Sequence, residues 1–169
     1  NSLVQDILSL AALEKQQTEP SREFTEVTLD SVVANAANLC ANSVSAAKMN
    51  LVITENIPLR IQGDAALLEQ AVVNLIENAV RYSEGKTIEL SLTQQGPFAV
   101  ISVRDDGIGI PPEHRDRIFE RFYRVDKSRS RQLGGTGLGL AIVKHIAQLH
   151  GGVAELKCGE GKGCEFLLR

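Results

Sequence analysis

Apolar residues recur at helical spacing over 2–15. Leu3, Ile7 and Leu10, then Val4, Leu8 and Ala11, share one side of a helix. No start signal precedes them beyond Asn1-Ser2. The polar run 16–23, with its one proline, breaks the period and reads as a linker. From Phe24 to Leu29 the pattern alternates as in a half-buried strand. Asp30 is placed to cap a helix reaching about Lys48. A short strand follows at 51–54, and Asp64 is placed to cap a second long helix over 65–82. Strands at 87–94 and 98–104 are split by Gln95-Gly96-Pro97. A third helix spans about 137–150, and strands at 152–158 and 164–168 flank a glycine-rich turn. Helices and strands alternate early and a hairpin-like pair closes the chain. This predicts an α/β fold with a mixed sheet and helices on one face.

At 169 residues, 43% of them hydrophobic, the chain holds one compact domain, expected over 24–169. It has no Trp and only 4% aromatics, so its core must be mostly Leu, Ile, Val and Ala. A net charge of -3 and a pI near 5.7 argue against a general nucleic-acid binder. No run of 18 uninterrupted apolar residues exists to span a bilayer as a helix. Cys40, Cys158 and Cys164 show no C-x-x-C spacing, and no histidine lies near them to complete a zinc site. Cys158 and Cys164 could pair across adjacent strands. The favoured expectation is small buried thiols in a reducing compartment.

Helix 65–82 is dense in Leu, Ile and Val, yet Gln70, Asn74, Asn78 and Arg81 form one polar stripe along it. Asparagine is a poor residue for a helix interior, because its amide competes for backbone hydrogen bonds. An amide oxygen can ligate Mg²⁺ and an amide nitrogen can meet a phosphate, while arginine suits phosphate directly. An exposed polar face is an equal alternative for the stripe alone. Asp105 sits at the exit of a strand, where a carboxylate can accept from an exocyclic amine such as that of adenine. Gly107 and Gly109 would let backbone approach a flat ring. Gly135-Thr136-Gly137-Leu138-Gly139 opens a helix, where free backbone amides favour phosphate. Pro111 and Pro112 exclude a dinucleotide fingerprint after the first cluster, and no Walker loop occurs. Between the clusters, residues 111–133 are about +3 while the rest of the chain is about -6. A basic run between glycine hinges reads as a lid, about 108–135, over polyphosphate. Ile118-Phe119 and Phe122-Tyr123 would anchor it.

These motifs, in this order, resemble sensor histidine kinases. Asn74–Ser83 (NLIENAVRYS) looks like their N box, Val103–Ile110 (VRDDGIGI) like the G1 box, Ile118–Arg124 (IFERFYR) like the F box and Gly135–Ile142 (GTGLGLAI) like the G2 box. The resemblance covers about 24–169. It implies the Bergerat ATP-binding fold shared with gyrase B subunits: a two-layer sandwich of a five-stranded mixed sheet and three helices. It implies ATP and Mg²⁺ as ligands. Asn78 would ligate the metal, with Asn74 near metal and phosphates. Arg81 would stand in for a more usual Lys, and Tyr82 would line the adenine pocket. Asp105 would accept from the adenine amine, with Gly107, Gly109 and Ile110 around it. Tyr123 and Arg124 would reach over from the lid, Arg124 to the γ-phosphate, and Gly135, Thr136, Gly137, Leu138 and Gly139 would cradle the phosphates. Asn74 and Arg124 would carry the catalytic roles.

None of His114, His145 and His150 is followed by an acidic residue, as the family's phosphoacceptor is. Residues 1–18 resemble the end of a dimerising helical hairpin, joined by 19–23. The resemblance therefore implies a catalytic domain whose acceptor histidine lies outside this chain. It also implies a homodimer at full length, a monomeric fragment, a response-regulator partner and a cytoplasmic location in an inner-membrane sensor. An ATPase clamp of the gyrase B kind would need a glutamate where Asn74 stands, since asparagine is no general base. Glu77 is expected to lie on a different helical face. A module that only senses ATP is the remaining alternative.

Overall fold

The computed structural model describes residues 4, 7, 8, 10, 11, 24–126, 135–159 and 161–169. The described positions between 4 and 11 are helical, and Leu10 is buried with the core while Val4, Ile7 and Leu8 are exposed. The expected linker and most of the expected N-terminal helix lie outside the described residues.

The compact part begins with β1 (Thr25–Thr28) and α1 (Leu29–Ala46), followed by β2 (Asn50–Asn56), β3 (Arg60–Gly63) and α2 (Ala65–Tyr82). The hairpin β4 (Thr87–Gln95) and β5 (Phe98–Asp105) comes next. A single-turn helix, α3 (Pro112–Arg115), precedes α4 (Gly139–Leu149), and β6 (Ala154–Cys158) and β7 (Cys164–Leu168) end the chain. Strand order in the main sheet is β2-β4-β5-β7-β6. The β2–β4 pair is parallel and the others are antiparallel. A parallel pair needs a long crossover, and the segment carrying α2 supplies it. Helices α1, α2 and α4 pack side by side on one face, giving the expected two-layer α/β sandwich with a five-stranded mixed sheet.

The core follows from period-two and period-3.6 patterns meeting face to face. Ile88, Leu90 and Leu92 of β4 stand beside Ile101 and Val103 of β5 and Phe166 of β7, all at most 3% exposed. Against them lie Val72, Leu75 and Ile76 of α2 and Ile142 and Ile146 of α4. Each such side chain contributes roughly 1.5–3 kcal/mol by leaving water.

Three local readings are corrected. The β3 strand is absent from the sequence reading, because Arg60–Gly63 is too short and polar to show a period. It pairs with β1 in a separate two-stranded sheet. Thr28, not Asp30, stands at the N-cap of α1; Asp30 lies in the first helical turn, where its carboxylate still suits the helix dipole. Cys158 and Cys164 form a disulfide instead of remaining thiols, because the β6–β7 register sets them directly opposite each other. Cys40 is the buried free thiol expected. Asp64 caps α2 as expected, its Oδ1 accepting from the Leu67 N–H at 3.0 Å.

Leu75→Ala should cost about 2–5 kcal/mol, as cavity-forming substitutions in packed cores do. Leu39→Ala, at a position 64% exposed, should change stability by less than about 0.5 kcal/mol. Urea denaturation of both variants checks whether α2 is the buried centre of the helical layer.

Candidate nucleotide site

The α2 helix serves the core with one side and a cavity with its edge. Asn74, Glu77, Asn78, Arg81 and Tyr82 all line a cavity of about 260 Å³. Its other walls are Ile108–Ile110 after β5, Ile118 and Tyr123–Asp126, and the glycine loop with the start of α4. Small-molecule sites start near ~300 Å³. A ligand as large as a nucleotide therefore leaves part of itself at the mouth.

The structure brings together most of the residues singled out from sequence. Asn74, Asn78, Arg81, Tyr82, Gly109, Ile110, Tyr123, Arg124, Gly135, Thr136, Gly137 and Gly139 all face this one cavity. Three do not. Leu138 is fully buried at the N-cap of α4 and packs into the core. Asp105 is only 6% exposed, and Gly107 is buried beside it. The Gly107 N–H donates to Asp105 Oδ1 at 2.9 Å, so this carboxylate sits one layer behind the wall. Sequence reasoning missed Glu77, Ile108, Ile118, Val125, Asp126 and Leu140. Glu77 was expected on another face. Its place three residues after Asn74 and one before Asn78 was the available signal.

Glu77 is held firmly. Its Oε1 accepts from the Ser43 hydroxyl at 2.6 Å, and its Oε2 lies 3.5 Å from the Arg81 guanidinium. Asn74 contrasts with it: its Nδ2 is buried and has no hydrogen-bond partner. A buried amide donor without a partner is costly, and here it borders a cavity that a ligand oxygen could enter. The first turn of α4 has no side-chain cap, so its amides are also open to an anion.

Two adjacent carboxylates are tuned in opposite directions. Burial pushes the Asp105 carboxyl above its ordinary value, against the opposing N–H bonds from Gly107 and Cys164. Asp106 is exposed, and the Thr87 and Lys86 N–H groups donate to it at 2.9 and 2.7 Å, holding its carboxyl below the ordinary value.

The described part of the expected lid, up to Asp126, is tied to the body. Ile118 is buried and Phe119 meets Phe166 edge-on at 6.3 Å. Phe122, expected as an anchor, is instead 59% exposed. Its φ of 60° turns its side chain outward, while Tyr123 lines the cavity. The Tyr123 hydroxyl lies 2.6 Å from His114 Nδ1, and the Arg117 guanidinium lies over its ring. The Phe122 N–H donates to the Gly137 carbonyl at 2.8 Å. Gly137 has φ of +73°, and a Cβ there would meet Phe122 and Tyr123 backbone at 2.9–3.0 Å. Only glycine lets the two segments touch. Residues 127–134 of the expected lid lie outside the described residues.

Residues 63–169 match the model of the histidine kinase-, DNA gyrase B- and HSP90-like ATPase family, and the chain belongs to that family. Its fold is that of the ATP-binding catalytic domain of sensor histidine kinases, which are protein-histidine kinases. The sensor-like histidine kinase SenX3 of Mycobacterium tuberculosis is 39% identical over 98% of this chain. This chain spans 40% of the length of that relative. Full-length ShkA in complex with AMPPNP superposes with a TM-score of 0.83 at 29% identity, covering 98% of this chain and 34% of ShkA. The ATP-binding domain of PrrB from Mycobacterium tuberculosis gives 0.71 at 29% identity, covering 88% of this chain and 96% of PrrB.

The opposed carboxylates give a pH test. A carboxyl whose folded value is lowered stabilises the fold above its ordinary value, and that stabilisation is lost as pH falls through the lowered value. Asp106→Ala should lower the melting temperature at neutral pH, and the deficit should shrink as pH is taken down through the carboxylate range. An undiminished deficit in acid would mean the charge is not the cause. Gly137→Ala should destabilise by more than about 1 kcal/mol, read as a shifted urea midpoint.

Proposed function

We propose that this chain is the part of a sensor histidine kinase that binds ATP and moves its γ-phosphoryl group to a histidine outside the chain. One observation carries this reading. The amides and guanidinium of α2 face the same cavity as the glycine loop and the uncapped start of α4. Ile108–Ile110 would give a base an apolar wall in such a cavity, and the loop at Gly135–Gly139 would take the anion. Phosphoryl transfer asks the protein for positioning and charge neutralisation more than for covalent chemistry. Arg81 and Arg124 would draw negative charge off the transferring group. The Asn74 Nδ2 donor would gain a phosphate oxygen. Asp105 would act on the adenine edge from behind Gly107, and Tyr123 would close the cavity from the lid side. Ile110 and Tyr82 would flank the base.

Mg²⁺ fits this set. Among the described residues no cluster of three His, Cys, Asp or Glu side chains forms a cage. Magnesium beside nucleotides keeps waters and phosphate oxygens and needs few protein ligands, and the Asn78 amide oxygen would be the one this chain provides. Bound there, the ion would offset phosphate charge.

The hydrolytic alternative is disfavoured by Asn74, which stands where that reading needs a glutamate and whose amide cannot take a proton from water. Glu77 also lines the cavity, with Ser43 donating to its carboxylate and Arg81 beside it. No histidine of this chain lines the cavity: His114 is bound to Tyr123, His145 is buried, and His150 is stacked on Phe24. The acceptor would thus come from a helical hairpin, and a response regulator would receive the group next. Among the described residues no helix is long and apolar enough to cross a membrane. A cytoplasmic place in a membrane-anchored dimeric sensor is part of this proposal.

Calorimetry with Mg-ADP and a non-hydrolysable ATP analogue tests the assignment. Arg124→Ala should weaken the triphosphate by roughly tenfold, about 1.4 kcal/mol, and leave the diphosphate nearly unchanged. Asn78→Ala should remove the effect of Mg²⁺ on either ligand. Asp105→Asn should narrow the preference for adenine over guanine nucleotides. Trypsin should cut after Arg121 and Arg124 more slowly with the analogue and Mg²⁺ bound than without ligand, and equal rates would contradict the lid assignment. Absence of any nucleotide heat at millimolar ligand would overturn the reading.

A further inference from the structure

The chain holds a sulfur pair that the phosphotransfer chemistry does not use. Cys158 ends β6, Cys164 begins β7, and their Cα atoms are 4.3 Å apart in the antiparallel register. The pair lies against the loop that forms the Ile108–Ile110 wall of the cavity. The Ile110 N–H donates to Cys158 Sγ at 3.0 Å. The Cys164 N–H donates to the Asp105 carboxylate. Gly159, next to Cys158, comes so close to Gly109 that a Cβ there would sit 2.3 Å from the Gly159 carbonyl oxygen. The Gly161 N–H donates to the Ile108 carbonyl at 3.1 Å. Gly159 and Gly161, which lie between the two cysteines, therefore support the cavity wall from outside.

We propose that Cys158 and Cys164 are a site of reversible oxidation by low-molecular-weight disulfides, and that the bonded state tightens adenine-nucleotide binding. The second half rests on the ATP reading above. Cys158 is half-buried and Cys164 is 5% exposed, so Cys158 is the entry point. The Cys158 thiolate attacks one sulfur of a disulfide such as oxidised glutathione and expels one glutathione thiolate. The Cys164 thiolate then attacks Cys158 Sγ in the mixed disulfide and expels the second glutathione thiolate. The two protons from the cysteines end on the two leaving thiolates. The protein loses two electrons and the glutathione disulfide gains them.

The bonded pair clamps the ends of β6 and β7, and with them the turn that supports Ile108 and Gly109. A wall fixed before the ligand arrives loses less conformational entropy on binding. Opening the bond frees the turn, so the reduced form must order it on binding. Cys40 takes no part. Burial, with the Glu77 carboxylate adding to it, pushes its thiol up to about 11, and it lies on α1 away from the pair.

The whole chain is equilibrated with ratios of reduced to oxidised glutathione, and its thiols are counted after denaturation. Of its three cysteines, two should disappear together and Cys40 should remain. Three thiols at every ratio would overturn the site. Calorimetry with Mg-ADP on the oxidised and reduced chains should show about fivefold tighter binding when oxidised, the low end of typical coupling. By linkage, saturating Mg-ADP should shift the half-oxidation ratio by the same factor. Cys158→Ser and Cys164→Ser should each abolish the difference, and Cys40→Ser should keep it. Equal affinities of the two wild-type forms would overturn the coupling. No Mg-ADP binding in either form would mean the ATP reading has failed, while the thiol count would still decide the site.

Discussion

Everything in this molecule depends on α2 being buried along one side while its edge stays polar. Leu68, Val72, Leu75 and Ile76 are at most 7% exposed and tie the helix to α1, α4 and the sheet. The same backbone then holds Asn74, Glu77, Asn78 and Arg81 at the cavity. A site built on a buried helix inherits the rigidity of the core, because the helix has no room to shift. The cost is an unpaired amide on Asn74, tolerable where a ligand can complete it.

Around that fixed wall the remaining parts are held by backbone contacts. Gly137 accepts from the Phe122 N–H, and Ser83 accepts from the Ile108 N–H. Backbone-to-backbone ties of this kind are indifferent to most side chains but sensitive to an added Cβ. They connect the glycine loop to the lid, and the end of α2 to the strand exit. The cavity is thus closed by short loops leaning on one another, while only α2 and the start of α4 are regular elements at the site.

Charge is arranged with equal economy. Asp105 is buried and resists ionisation, whereas exposed Asp106, one residue on, takes two backbone N–H donors. Asp106 organises the start of β4, and Asp105 is left to face inward behind Gly107. Glu77 accepts from Ser43 and lies beside Arg81.

The long helices, the β4–β5 hairpin and the final strand pair were legible in the sequence, because their apolar periods run long enough to outweigh local preference. The order of the polar and glycine motifs also marked out most of the cavity residues, since asparagine in a helix interior and clustered glycines each need a physical reason. Tertiary structure alone decided the rest. Short, polar β3 becomes a strand only by pairing with β1. Asp105 and Leu138 look like pocket residues in one dimension and are buried behind it. Glu77 faces the cavity because α1 approaches from the other side and Ser43 catches its carboxylate. Cys158 and Cys164 are joined because the strand register opposes them. Each of these outcomes depends on residues far apart in sequence, and a period read along one chain carries no information about which distant neighbour arrives.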